Sequence, residues 1–154
     1  HMYIFCAAQY IGDFIKALQP MEFEPPCLYW LRDRNTTIGM GYRYMSKIET
    51  IIYGHNPPAN TRRLAKNMLN VLEYPGVPNS LRTYATEKPL GLLKTLILQS
   101  SSTGDLVLDP FAGSASTLRA AKMLGRRSIG FEKNEDSWKI GQQNLMNTEK
   151  ETAP

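Results

Sequence analysis

Apolar residues fall along the chain in short runs separated by polar, proline-marked or glycine-marked stretches, and the period of each run predicts its element. Tyr3 to Ala7 is continuously apolar and reads as a strand. Ile11, Phe14, Ile15 and Leu18 recur at helical spacing, which predicts a helix packing one apolar face on a core. Pro20, Pro25 and Pro26 interrupt regular structure before Leu28 to Leu31 resumes as a strand. Residues 32–47 are polar and loop-like, and Glu49 to Gly54 is a third strand. Leu72-Glu73-Tyr74-Pro75 allows a short extended piece. Pro89 to Ser100 predicts a helix with proline in its first turn and Leu92, Leu93, Leu96 and Ile97 as its buried stripe, with Leu90 beside it. Leu106-Val107-Leu108 is short, apolar and flanked by acids, as a buried parallel strand is. Leu118 to Leu124 reads as a helix and Arg127 to Phe131 as another strand. Asn134 to Asn147 is a last helix with Trp138, Ile140 and Leu145 as packing residues. Thr148 to Pro154 is a polar tail expected to fray. Strands alternating with helices predict an α/β class with a mostly parallel sheet.

Composition narrows this picture without changing it. The 154 residues are one domain's worth of chain, 42% hydrophobic and 21% charged. A net charge of +4 and an isoelectric point near 9.1 permit an anionic partner. Cys6 and Cys27 lack metal-ligand spacing, so reduced structural thiols in a cytoplasmic protein are expected, and no metal. No apolar stretch is long enough to span a membrane. His1-Met2 reads as a cloning remnant plus a start residue, and His1 is left out of function.

The chemistry concentrates at Asp109-Pro110-Phe111-Ala112-Gly113-Ser114-Ala115-Ser116-Thr117, between a strand and a helix. Small residues let the backbone turn tightly and let a ligand approach it. The helix that follows presents first-turn N–H groups, which suit a carboxylate or phosphate. Such a cradle at the carboxyl end of a strand is where nucleotide-type cofactors sit in α/β sheets. About 20 residues on, the strand Arg127 to Phe131 ends in Glu132, placed to accept from ribose hydroxyls. Elsewhere, Arg32, Arg34, Arg43 and Lys47 are interleaved with Tyr42 and Tyr44, and Thr61 to Lys66 adds Arg62 and Arg63. Basic and aromatic residues on a loop suit phosphate contact and base stacking; a solvated charged face is the alternative reading.

Asp109 to Thr117 resembles the cofactor motif of the DNA amino-methyltransferases, usually Asp-Pro-Phe-x-Gly-Ser-Gly-Thr-Thr. Ala115 stands where that motif has its second glycine, adding a methyl at a place of close ligand approach, and Ser116 stands for threonine. Thr86-Glu87-Lys88-Pro89 is similar to the Thr-Gln-Lys-Pro segment that precedes the motif in the beta-type order. Arg126 to Glu132 is similar to the next strand and its ribose acid. The strands upstream, at 3–6, 28–33 and 48–54, resemble later strands of the catalytic half. The resemblance covers nearly the whole chain.

The resemblance implies a Rossmann-like S-adenosylmethionine-dependent methyltransferase sheet, incomplete because the central catalytic strand is missing. It divides the chain into later strands of the catalytic half (3–54), a short target-recognition or linker segment (55–85), a cofactor-binding half (86–147) and a tail (148–154). S-adenosylmethionine would be held by Lys88, Asp109, Pro110, Phe111, Ala112, Gly113, Ser114, Ala115 and Glu132. DNA would be met by Arg32, Arg34, Tyr42, Arg43, Tyr44, Lys47, Arg62 and Arg63. The activity implied is methyl transfer to adenine N6, ahead of cytosine N4, in a restriction-modification or phage setting. No catalytic residue is assigned, because the family's Asp/Asn/Ser-Pro-Pro-aromatic tetrapeptide belongs before residue 3. Asn56-Pro57-Pro58-Ala59 lacks the aromatic ring that stacks on a flipped base and reads as a turn. The chain alone is therefore expected to be inactive, with the sheet closing over the gap, a second copy filling it, or a separately encoded N-terminal half completing the fold. The alternative is a truncated methyltransferase that serves as a DNA- or protein-binding protein of a phage or mobile element. A methyltransferase of RNA or of a small molecule matches the motif order less well.

Overall fold

The computed structural model describes residues 1–19, 21–23, 27–32, 46–56 and 68–149. The chain divides into two compact units, His1–Gly76 and Val77–Pro154.

The first unit is built on a four-stranded sheet. Its strands are β1 (Met2–Cys6), β2 (Cys27–Leu31), β3 (Ile48–Gly54) and β4 (Val71–Glu73), in the order β1-β3-β2-β4. β3 runs antiparallel to both β1 and β2, and only β2 and β4 pair in parallel. The mostly parallel sheet expected from the sequence is thus corrected here. Parallel neighbours need a helical crossover, and residues 32–47 between β2 and β3 carry no helical period. Ile51, Ile52, Trp30 and Leu72 form the core, and Trp30 Nε1 donates to the Tyr74 carbonyl at 2.8 Å. Helix α1 (Ile11–Ala17) forms as its spacing predicts but buries no residue; Phe14 is exposed. Cys6 and Cys27 are free thiols, and burial pushes both above the ordinary thiol value, with Cys27 adding to the effect on Cys6.

The second unit holds α2 (Leu90–Ser100), β5 (Leu106–Asp109), α3 (Ser116–Met123), β6 (Arg127–Gly130) and α4 (Glu135–Met146). β5 and β6 are parallel, with Leu108 opposite Ile129 and Asp109 opposite Gly130. α2 buries Leu92, Leu93, Leu96 and Ile97, the stripe its period predicts. α3 lies between α2 and the two strands, with Leu118 so close to Gly130 that a Cβ there would meet it at 2.8 Å. Gly125, at φ 73°, ends α3 in the left-handed conformation that glycine adopts without penalty. Arg126 then braces the turn, donating from Nη2 to the Ser101 carbonyl at 2.8 Å and from Nη1 to that of Leu124 at 2.6 Å. Truncating the α2 stripe by one methyl, Ile97→Val, is expected to cost about 1 kcal/mol in urea unfolding. A loss near zero would mean that this helix is not the core of its unit.

Two expectations are corrected in this unit. β5 is not buried on both faces: Leu106, Leu108, Ile129 and Phe131 are 51%, 61%, 46% and 60% exposed. α3 packs on the pair, and these four side chains stay exposed. α4 does not bury Trp138 or Ile140, which are exposed; it buries Ser137 and Gly141. Nor does the tail fray at once, because Thr148 is buried and its Oγ1 donates to the Asn144 carbonyl at 2.7 Å. No helix among the described residues is long and apolar enough to cross a membrane.

Candidate cofactor-binding site

β5 ends in Asp109, whose Oδ1 accepts from the Phe111 N–H at 3.0 Å. This Asx turn folds the chain back over Pro110 and leaves Phe111 exposed. The end of β6 closes the loop from the other side: Phe131 N–H donates to the Asp109 carbonyl at 3.0 Å, and Ala112 N–H to that of Phe131 at 2.8 Å. The loop then needs two left-handed residues, Gly113 at φ 50° and Ala115 at φ 65°. Ala115 is the only non-glycine with positive φ among the described residues, and that conformation costs an alanine roughly 1–2 kcal/mol. The residue is buried, 4% exposed, and its methyl packs on Gly141 of α4. Ala115 caps α3 without a side-chain hydrogen bond, so the first-turn N–H groups of that helix keep their preference for an anion.

Glu132 joins the pieces. Its Oε2 accepts from Gly113 N–H at 2.8 Å and its Oε1 from Asn134 N–H at 2.8 Å. These N–H groups, Asn134 first and then Gly113, hold its carboxyl below the usual glutamate range. The acid is therefore ionised at neutral pH, with lone pairs left to accept from hydroxyls. Tyr84 leans on the loop: a Cβ on Gly113 would meet its ring at 3.2 Å.

The fold thus gathers Asp109, Pro110, Phe111, Ala112, Gly113, Ser114, Ala115 and Glu132 around one turn. Lys88 lies just ahead of α2, its Nζ donating to the Thr86 carbonyl at 3.3 Å. In the first unit, Arg32 and Lys47 come together: Arg32 N–H donates to the Lys47 carbonyl at 2.9 Å and Arg32 Nη2 to that of Ser46 at 2.9 Å. The Arg32 guanidinium also lies 6.0 Å from the Trp30 ring. Arg34, Tyr42, Arg43, Tyr44, Arg62 and Arg63, with Pro57-Pro58-Ala59, lie outside the described residues.

Sequence reasoning missed a polar cluster beside the loop. Asn144 Nδ2 donates to the Ser114 carbonyl at 3.1 Å and to Thr83 Oγ1 at 3.0 Å. Glu87 Oε2 accepts from Thr83 N–H at 2.8 Å and from Thr83 Oγ1 at 3.0 Å, and Glu87 Oε1 pairs with Arg119 at 3.4 Å. Arg119 Nε reaches Thr148 Oγ1 at 3.2 Å. A signal existed: Ser137, Gly141, Asn144 and Thr148 recur at helical spacing, small or polar where a buried stripe is usually apolar.

The comparisons with known proteins agree with this geometry. The DNA methylase family model matches residues 27–143. The DNA adenine methyltransferase YhdJ of Escherichia coli is 39% identical over 97 residues, 62% of this chain and 33% of that protein. The type II methyltransferase M.HindIII of Haemophilus influenzae is 33% identical over 134 residues, 86% of this chain and 42% of that protein. The chain thus spans between a third and about two-fifths of these relatives. Among solved structures, the M1.HpyAVI–SAM complex superposes with a TM-score of 0.72 at 24% identity, covering 94% of this chain and 73% of that one. The cytosine-N4-specific PvuII DNA methyltransferase superposes at 0.64 and 17% identity. These likenesses give the fold, an α/β methyltransferase sheet, and the family match spans most of the sequence. The chain belongs to the DNA methylase family, in its beta-type amino-methyltransferase branch.

Proposed function

We propose that this chain is the S-adenosylmethionine-binding part of a DNA amino-methyltransferase acting on adenine N6. The observation that carries the reading is the Asp109–Ala115 loop, closed on the ionised Glu132 by the Gly113 N–H. The donor set fits the cofactor. Glu132 is an acceptor suited to ribose hydroxyls, the first turn of α3 suits a carboxylate, and the exposed Phe111 offers an apolar face. Lys88, just ahead of α2, would add a cation. When bound, the cofactor supplies an electrophilic methyl carried on sulfonium. The chain's own residues bind and orient it; none is placed to hold the acceptor amine, because the sequence contains no Asp/Asn/Ser-Pro-Pro-aromatic segment. The adenine assignment leans on YhdJ, a DNA adenine methyltransferase. DNA would be met by the basic and aromatic residues Arg32, Arg34, Tyr42, Arg43, Tyr44, Lys47, Arg62 and Arg63.

Calorimetric titration of S-adenosylmethionine is expected to give saturable one-to-one binding, weakened about tenfold by Asp109→Ala, the worth of the one hydrogen bond that shapes the turn. Absence of binding at millimolar cofactor would overturn the reading. With tritiated cofactor and mixed-sequence DNA, the chain alone is expected to transfer no methyl; transfer would place the acceptor site within these residues.

A polypeptide partner is part of the same proposal. Parallel strands are found with both faces covered, yet Leu106, Leu108 and Ile129 are exposed, and β5 pairs with β6 alone among the described strands. A second copy or a separately encoded methyltransferase half would cover this face. Light scattering at micromolar concentration is expected to give an oligomer; a monomer would remove the second copy from the proposal.

A further inference from the structure

The loop that carries the cofactor reading contains two left-handed residues. Gly113 and Ala115 both have positive φ, and alanine there stores strain that surrounding structure must over-determine. α4 does so at two points. Its Gly141 has no side chain where a Cβ would meet the Gly113 carbonyl oxygen at 2.9 Å and the Ala115 methyl at 3.3 Å, so the helix seats directly on the turn. One turn on, Asn144 Nδ2 donates to the carbonyl of the buried Ser114, between the two left-handed residues, at 3.1 Å. The same amide reaches Thr83 Oγ1 at 3.0 Å, next to Tyr84, whose ring lies on Gly113 from another side. α4 is set in turn by Asn134, whose Oδ1 accepts from Ser137 N–H at 2.9 Å and whose own N–H donates to Glu132. One helix therefore reaches both the loop and the acid.

We propose that Asn144 and Gly141 are positioning residues for the S-adenosylmethionine loop: they hold residues 113–115 in the ligand-ready conformation and tie it to the Thr83–Tyr84 segment. This deepens the cofactor assignment made above and rests on it. A loop that adopts its competent shape only part of the time binds with its affinity reduced by that fraction. Asn144→Ala removes the bond to Ser114 and should weaken S-adenosylmethionine binding about tenfold, the worth of one ordinary hydrogen bond. Ala115→Gly in the Asn144→Ala background should recover most of that loss, because glycine enters the left-handed conformation without the alanine cost. A residue that only stabilised the fold would gain no affinity from that second change.

The experiment is calorimetry paired with amide hydrogen exchange of residues 110–117 in cofactor-free protein. Support is a tenfold weaker Kd and faster exchange in Asn144→Ala, with both moved back by Ala115→Gly. An unchanged Kd, or a loss that Ala115→Gly does not recover, overturns the proposal. Should Asn144→Ala not fold, Asn144→Asp keeps the side chain's shape while losing the donor to both Ser114 and Thr83, whose one hydroxyl proton goes to Glu87; the same readings apply. If the unaltered chain binds no cofactor, the cofactor assignment fails. The exchange rates then still decide whether α4 holds the loop: equal rates in the variant and the parent overturn that part too.

Discussion

Glu132→Ala is expected to weaken S-adenosylmethionine binding about 100-fold by calorimetry, since a carboxylate accepting from two ribose hydroxyls makes two charge-assisted bonds. The change also releases Gly113 N–H and Asn134 N–H, so the loop and the start of α4 lose a common anchor. Glu132→Gln separates the two effects. An amide can still accept one backbone N–H but carries no charge, and it should recover part of the loss. The pH dependence follows from the direction of the shift. The folded carboxyl is held below the usual glutamate range by the Asn134 and Gly113 N–H groups, so the unfolded chain takes up a proton first as pH falls. The stabilisation from Glu132 is fully present above the ordinary glutamate value and is lost as pH falls through the lower folded value. Binding by the parent chain should therefore persist into mildly acid solution and fail only below the normal range, while Glu132→Gln should be flat across that window. A Glu132→Ala variant that binds within threefold of the parent would remove the ribose role.

Much of the second unit was legible because its signals are local. The spacing of Leu92, Leu93, Leu96 and Ile97 fixes a helical face, and the run Leu106 to Asp109 followed by small residues fixes a strand and a turn. The proximity of Glu132 to Gly113 also followed, since parallel β5 and β6 place their carboxyl ends side by side. The seat of the loop was not legible. A search for apolar stripes picks Trp138 and Ile140 on α4, whereas the helix turns Ser137 and Gly141 inward because the backbone of the loop comes too close for large side chains. The packing of Ala115 was not legible for the same reason. Sequence alone places its methyl where a ligand approaches, and in the structure it packs on Gly141. The antiparallel course of β3 was readable in principle from the helix-free stretch before it, but the apolar run itself carries no direction.

Arg119→Ala is expected to destabilise the second unit by about 3 kcal/mol in urea unfolding, the low end for breaking a buried pair. The Glu87 side chain is only 6% exposed and that of Arg119 23%, so removing the arginine leaves a carboxylate in the interior with Thr83 as its neutral donor. The reverse change should cost less. Glu87→Gln keeps an acceptor for Thr83, and Arg119, being partly exposed and bonded to Thr148, can turn its charge toward water. About 1 kcal/mol is expected for that variant. The double change Arg119→Met with Glu87→Gln should recover most of the larger loss, because a neutral pair of similar volume carries no desolvation penalty. This ordering also bears on function. Glu87 grips the Thr83 segment that Asn144 ties to the cofactor loop, so Arg119→Ala should loosen cofactor binding along with stability, while the double variant restores both. Equal costs for Arg119→Ala and Glu87→Gln would show that the pair behaves as a surface contact.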